Sequence, residues 1–456
     1  MVAIVTDTFK KQFATYLFDE VSSGTDSHEY YIGIGKADAY DSSDNTATPL
    51  RHLAEEREAR NNIQSVKKVT GHSFVIPRYN WSSGAIYNAF ADNVVGIATN
   101  TYYVLTDANE VYICLQQGKN ANGTANTSTV KPDYNAAGVN QVQAFETADG
   151  YRWKLAYAVS AVRSSAFLSS GFIPVQNVTV DSASANTFEL QQLNIQNTVT
   201  PGQIIGVEVV DGGTGYSSAP TITFKGNGSG AAATATVASG AIVKVEMNNE
   251  SAGMGSGYDY ASATVTGDAT LRPIIGPKLG LGKDARTDLK SSSIMFNVKT
   301  DGTENDTFNI TNDFRQILLM RDIFEIDSTL GSGKQFTNAS AKANRFLTLT
   351  GTIAAGGFVV DETITGGTSG VTAFIDELDS NNGNKIFYHQ NSNNIAGDFQ
   401  DGETITSSGS GSATLDSAVQ HSIVDNHSGD LLYIENRARV VRASAQTEDL
   451  KIIITV

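Results

Sequence analysis

The stretch "FVVDETITGGTSGVTAF" at 358–374 returns in unbroken register at 399–415 as "FQDGETITSSGSGSATL", with Phe358 over Phe399, Glu362 over Glu403 and Gly370 over Gly411. Threonine, isoleucine and valine between glycine turns predict short strands, and fixed self-similarity predicts a duplicated structural unit. Upstream lies a second, different pair. "GVEVVDGGTGYSSAPTITFKG" (206–226) is echoed by "KVEMNNESAGMGSGYDYASATVTG" (244–267), so that Val207-Glu208 matches Val245-Glu246 and Gly215-Tyr216 matches Gly257-Tyr258. Two small duplicated β modules are therefore predicted, at 199–271 and 346–420. Loop-closure entropy rises slowly with loop length, so insertions of this kind cost a host domain little. The remaining segments, 1–198, 272–345 and 421–456, read as one discontinuous host domain.

In the host segments, "EYYIGIGK", "HSFVIPRYNW", "TYYVLTD", "EVYICLQ" and "YRWKLAYAV" carry strand patterns broken by Gly, Asn and Asp. Helices are predicted for "TDTFKKQFATYLFDEVSSG", with Phe9, Phe13, Tyr16, Leu17 and Val21 on a buried face and Gly24 as the stop. A second, exposed helix is predicted in "TPLRHLAEEREARNNI", with Thr48 as cap, Pro49 at the first helical position, and Arg51/Glu55 and Glu56/Arg60 four residues apart. "NDFRQILLMRDIF" adds a short helix pattern. The expected class is mainly β: a β-sandwich host domain with helix-bearing loops, plus the two modules.

The 456 residues carry 32 Lys and Arg against 48 Asp and Glu, a formal charge of -16, which argues against nucleic acid as a partner. Cys114 is the only cysteine, so no intramolecular disulfide and no cysteine-rich zinc site can form; in "EVYICLQQ" it reads as a small buried residue. Asp7 and Lys10 interrupt any signal-peptide core at the N-terminus, and no apolar run nears the roughly 18 residues of a membrane span. A soluble chain made in a cytoplasm, without membrane insertion, is expected.

Local catalytic patterns fail one by one. His28, His52, His72, His389, His421 and His427 show no helical metal-ligand spacing and read as solvated loop histidines. "GPKLGLGKDAR" (276–286) imitates a phosphate loop, but Pro277 stands where the first glycine belongs and Asp284 where Ser or Thr should bind magnesium. "GNGSGAAATATV" runs into alternating Ala, Thr and Val rather than a helix, so a β-turn is expected instead of a dinucleotide site. Adjacent acids such as Glu55-Glu56 and Glu448-Asp449 diverge, and no "GxSxG" elbow is present. The sequence assigns no catalytic, cofactor-binding or metal residues and favours a non-enzyme.

The chain closes on "GDLLYIENRARVVRASAQTEDLKIIITV" (429–456). The apolar run 431–434 predicts one strand, and the alternation of Leu450, Ile452, Ile454 and Val456 another, with "QTED" as the polar connection. Arg437, Arg439 and Arg442 beside Glu435 can make forked ion pairs with carboxylates of this acidic chain. An anion site is the competing reading.

Taken in order, "AIVTDTF" (3–9), "VIPRYNW" (75–81), "VYICL" (111–115), "DGYRW" (149–153), "GFIPV" (171–175), "SGDLLYIENR" and "QTEDLKIIITV" resemble the gene-eight product family, the baseplate wedge subunit of T-even-type contractile-tailed bacteriophages. The resemblance spans most of the first 198 residues and the last 30 or so; both repeat modules depart from it. It implies a virion structural protein of the tail baseplate, dimeric, set among other wedge proteins and without catalytic residues. Interaction or structural candidates are Arg78, Trp81, Tyr151, Trp153, Tyr433, Glu435, Asn436, Arg437, Arg439, Arg442, Gln446 and Glu448, with core packing as the competing role for the aromatics, Tyr79 included. The modules carry an alternative expectation: carbohydrate binding or host-surface contact.

Overall fold

Alternating β-branched and aromatic residues form strands where the pattern places them: Tyr30–Gly35, Gly71–Pro77, Tyr103–Leu105, Glu110–Gln116 and Arg152–Ala158. The structure, a computed structural model, describes residues 4–22, 28–94, 100–248, 253–304, 306–326, 334–353, 357–379, 383–443 and 445–456. It is mainly β, with antiparallel sheets and one small closed barrel. Two compact units are distinguished: residues 1–18, 73–295 and 453–456, and residues 19–72 and 296–452. Each contains host segments and one of the two repeat modules.

In the second unit a five-stranded sheet runs in the order Ser340–Lys342, Ile63–Lys68, Tyr30–Gly35, Phe314–Arg321, Asp430–Val440. The central strands are covered on both faces, which is why Tyr30–Gly35 is buried throughout. "NDFRQILLMRDIF", expected as a helix, forms the strand Phe314–Arg321, buried from Phe314 to Met320. A short continuous apolar run does not distinguish a buried helix from a buried strand, and here two neighbouring strands supply the hydrogen bonds. The expected cap at Thr48 is also displaced. The helix is Leu53–Asn61, His52 accepts the Glu55 N–H, and the helix turns inward at Ala59 and Arg60. Arg60 donates to the carbonyls of Asn426, Ser428 and Gly429 at 2.9, 2.6 and 2.8 Å, fixing the turn that leads into Asp430–Val440.

The second module closes into a six-stranded barrel, in the order Arg345–Leu349, Lys385–His389, Thr372–Leu378, Thr363–Gly366, Thr404–Ser407, Ser412–Gln420. Its two sequence copies form equivalent hairpins that meet about a local two-fold: Ile364 pairs with Ser407, Thr365 with Thr406 and Gly366 with Ile405. Phe358 and Phe399 are both buried in its core. Glu362 and Glu403 each accept an N–H from the residue three positions back, Val359 and Gln400. Glu403 also reaches into the other copy to accept the N–H groups of Thr368 and Ser369, both at 2.9 Å.

In the first unit a four-stranded sheet runs Tyr103–Leu105, Glu110–Gln116, Arg152–Ala158, Ala144–Glu146. Ile195, from the helix Thr187–Asn197, packs into the core of that sheet. The helix opens on a capping box in which Asn186 caps the Phe188 and Glu189 N–H groups and Glu189 reaches back. The first module lies here as a four-stranded sheet, Thr223–Gly226, Ala261–Thr264, Thr270–Ile275, Ile204–Asp211, with two strand pairs beside it in sequence. "GNGSGAAATATV", expected as a β-turn, is instead mostly the strands Ser229–Ala231 and Ala233–Ala238, with Asn227 and Gly228 breaking the chain ahead of them.

The helix Asp7–Ser22 forms as predicted, and its predicted stop, Gly24, lies outside the described residues. Its buried face is not the predicted one. Phe9, Phe13 and Tyr16 are 60%, 52% and 64% exposed, whereas Ala14 is fully buried and Phe18 stacks on Phe74 at 4.4 Å. Lys11, on the same inward side, pairs with Asp284 at 2.9 Å.

One glycine shapes the end of the central strand Tyr30–Gly35. The pairing of that strand with Ile63–Lys68 slips between Ile34 and Gly35. A Cβ on Gly35 would fall against the Asn62 carbonyl oxygen, inside any permitted contact, and Lys36 then turns with φ 64°. Gly35→Ala should cost about 1–3 kcal/mol by overpacking and lower the thermal midpoint. Gly33→Ala, whose Cβ meets Leu318 at an ordinary 3.5 Å, should change it much less. Equal midpoints for the two variants would show the close approach at the bulge to be immaterial.

Candidate functional site

The candidate residues fall into three separate settings. Tyr151 and Trp153 are fully buried, stacked at 5.7 Å in the core of the first unit, with the Tyr151 hydroxyl donating to the Asn126 carbonyl at 2.7 Å. They are core aromatics rather than exposed anchors. Trp81 packs against the same core and donates to Ser128 Oγ at 3.0 Å; Tyr79 meets Tyr103 at 5.4 Å. Arg78 braces a loop, donating to the Ser169 carbonyl and to Asn80 Oδ1, both at 2.8 Å. Cys114 is buried, and burial pushes its thiol up, so it is no nucleophile.

The closing arginines do not converge. Arg437 lies 3.9 Å from Glu435, both part-exposed, while Arg439 pairs with Asp313. Arg442, 1% exposed, pairs with Glu448 at 3.0 Å, donates to the Asn309 carbonyl and lies over the Phe308 and Phe314 rings. Gln446 donates to the other oxygen of Glu448 at 2.9 Å. Tyr433 donates to Glu435 at 3.1 Å, and Asn436 Oδ1 accepts from Gln316 at 2.7 Å. Each guanidinium is thus neutralised by a different carboxylate of its own chain, and the single anion site considered as the competing reading is not assembled.

A buried charge cluster contains a residue expected in a solvated loop. His389 ends the barrel strand Lys385–His389 with its side chain 1% exposed. Its Nδ1 lies 2.7 Å from Asp376 Oδ1 and its Nε2 3.2 Å from Asp38 Oδ1. Lys36 Nζ reaches Asp38 at 2.9 Å, Asn344 donates to Asp376, and Asn391 donates to Asp38 and, at 3.0 Å, to Asn62. Burial pulls the imidazole down, but the charge and hydrogen bonds of Asp376 and then Asp38 overcome it and hold His389 up at about 10. Burial likewise raises the Asp38 carboxyl, and the His389 and Lys36 interactions outweigh it, leaving Asp38 well below the usual carboxylate range. Asp376, wholly buried, is raised by that burial against the pull of His389.

The cluster joins the barrel to the bulged end of Tyr30–Gly35, and an imidazolium held between two carboxylates is a structural ion rather than a proton shuttle at neutral pH. Sequence reading missed it because Asp38 is remote in the chain from Asp376 and His389, which meet across neighbouring strands; the alternation of Ile386, Tyr388 and the residues between them is the signal that His389 belongs to a strand. Among the described residues no group of three His, Cys, Asp or Glu side chains is placed to hold a metal ion. No helix among them is long and apolar enough to cross a membrane. No protein-family model matches the chain, and no curated protein matches it.

Removing the ion tests its weight. The raised His389 contributes stability that is complete below its ordinary value near 6.5 and is lost as pH rises through about 10. The lowered Asp38 contributes stability that is complete above about 4 and lost as pH falls through its depressed value. His389→Gln should therefore destabilise the second unit by about 3–5 kcal/mol. The gap should be widest between about pH 4 and 6.5 and should narrow toward pH 10, read as denaturation midpoints across that range. A gap that widens with alkaline pH would reverse the assignment of charge.

Proposed function

We propose that this chain is a structural, non-enzymatic subunit of a contractile phage tail baseplate wedge that pairs with a second copy of itself and with neighbouring wedge proteins. The observation that carries the reading is the setting of the family-like closing motif. "SGDLLYIENR" forms most of the eleven-residue strand Asp430–Val440, at the edge of the five-stranded sheet. Its inner side pairs with Phe314–Arg321, and the Tyr40 hydroxyl bridges the Arg437 N–H to the Arg315 carbonyl where the register slips. Its outer side pairs with no strand among the described residues.

A long unpaired edge is a template for strand addition. This one is self-complementary. A second copy laid antiparallel with Asn436 opposite Asn436 sets Glu435 against Arg437, Leu432 against Val440 and Leu431 against Val441. Opposite charges and apolar side chains thus face each other in an isologous contact. Leu432 and Val441, 42% and 64% exposed, are the apolar surface such a contact would cover.

Light scattering on the purified chain should give twice the 48.4 kDa of one copy. Arg437→Glu should shift it toward the monomer while leaving the thermal midpoint nearly unchanged, because an exposed pair contributes only about 0–1 kcal/mol to folding. The charge swap Glu435→Arg with Arg437→Glu should restore the dimer. A wild-type chain that stays monomeric and forms no discrete complex with any wedge protein would overturn the reading.

A further inference from the structure

We propose that a groove in the first unit, between the helix Thr187–Asn197 and the start of the strand Glu110–Gln116, receives an arginine side chain of a neighbouring protein. Glu110, Tyr134, Phe188, Leu190, Gln191 and Asn194 are among the residues that line it, and its volume is about 370 Å³. That lies at the small end of the ~300–1,000 Å³ range of ligand sites, enough for one long side chain and its head group. The helix buries Gln192, Ile195 and Gln196, so the next face, Thr187, Leu190, Gln191 and Asn194 at i, i+3, i+4 and i+7, turns to the groove.

The observation pointing to a cation is a carboxylate without one. Tyr112 donates its hydroxyl to Glu110 Oε2 at 2.7 Å and accepts the Tyr134 N–H at 3.3 Å, which fixes the glutamate side chain. Its other oxygen, Oε1, accepts no hydrogen bond from a described residue, yet it is not sealed from solvent. Among the described residues no cation pairs with Glu110, and the nearby Lys131 is held by Asp107 at 2.7 Å. Burial raises the Glu110 carboxyl above its ordinary range; the Tyr112 hydrogen bond opposes that, Asp133 adds to it and Lys131 opposes it. A cation at Oε1 would supply what the ionised form lacks. The apolar wall is open as well, with Phe188 and Leu190 40% and 37% exposed.

Charge and shape then choose the head group. An anion would meet the fields of Glu110 and Asp133, and a neutral ligand would leave the carboxylate's desolvation uncompensated. Of the two cationic side chains, the guanidinium is weakly hydrated, stacks on aromatic rings and carries five donors in one plane, whereas the ammonium is a strongly hydrated point charge. Tyr134 and Phe188 supply the rings. Gln191 gives its NH₂ to the Tyr134 hydroxyl at 3.1 Å, so its amide oxygen remains to accept a further N–H. Leu190 and Ala158 offer the apolar wall that arginine methylenes cover. The formal charge of -16 draws a basic partner in from a distance.

Saturation-transfer NMR on the full chain with the tripeptide Gly-Arg-Gly, capped at both ends, tests this, with the lysine and citrulline counterparts and free arginine as controls. The arginine peptide should bind with a millimolar Kd, and the citrulline peptide, of the same shape without the charge, should not. Glu110→Gln keeps the side chain's size and an acceptor for Tyr112, and should weaken binding about tenfold or more by removing a charge-assisted contact. Phe188→Ala, at a part-exposed position, should weaken it several-fold through the lost ring. The proposal is overturned if the arginine peptide does not bind, if the lysine or citrulline peptide binds as tightly, if either variant leaves binding unchanged, or if free arginine proves the tighter ligand. It does not rest on the pairing of Asp430–Val440 edges, since the monomeric chain offers the same groove.

Discussion

A single buried charge fixes the second unit. His389 sits between Asp38 and Asp376 with almost no solvent contact, and Lys36 balances the remaining carboxylate. Taking ions out of water costs several kcal/mol each, and the cost is recovered only when every partner is in place. The network therefore tolerates one arrangement of the barrel on its sheet and penalises all others. That is a constraint on geometry more than a source of stability, because well-packed apolar groups of the same size would serve stability as well. The bulge at Gly35 and the left-handed turn at Lys36 exist in this scheme to deliver Lys36 and Asp38 to the barrel's end.

Legibility in the sequence tracks periodicity. The repeat at 358–374 and 399–415 is legible because each copy must bury the same phenylalanine and brace the same turn with the same glutamate, and copies that obey one set of constraints stay alike. Closure into a barrel is not legible, since it depends on the two copies pairing about a two-fold that no single copy encodes. The 314–321 strand reads as a helix because its apolar run has no period, and only its neighbours, remote in sequence, decide its hydrogen bonding. Helix Asp7–Ser22 shows the converse: its period is clear, yet the side that turns inward carries Ala14 and the Lys11 that pairs with Asp284 rather than Phe9, Phe13 and Tyr16. The capping box at Asn186 and Glu189 is written plainly in "NTFE" and needs only to be looked for.

Local neutralisation explains why the candidate site changes character between sequence and structure. Arginines close in sequence suggest a patch, but along Asp430–Val440 and the residues after it they point to separate carboxylates. An acidic chain can neutralise every arginine internally, and Arg442 is buried in doing so. Glu435 and Arg437 are exposed to a similar degree, one residue either side of Asn436. That spacing makes the edge self-complementary where a uniform run of one sign would have made it repel its copy.

The barrel and the five-stranded sheet manage their edges in opposite ways. A closed barrel has no edge to offer, so the 345–420 strands are insulated from further pairing and can present only side chains and cavities to another molecule. Among the described residues the five-stranded sheet leaves a long edge strand, Asp430–Val440, and a short one, Ser340–Lys342, paired on one side only. Strand addition and small-ligand recognition make incompatible demands, the first needing unsatisfied backbone and the second a rigid, backbone-satisfied wall. The two sheets of the second unit thus differ in what they expose, backbone groups along Asp430–Val440 and side chains around the barrel.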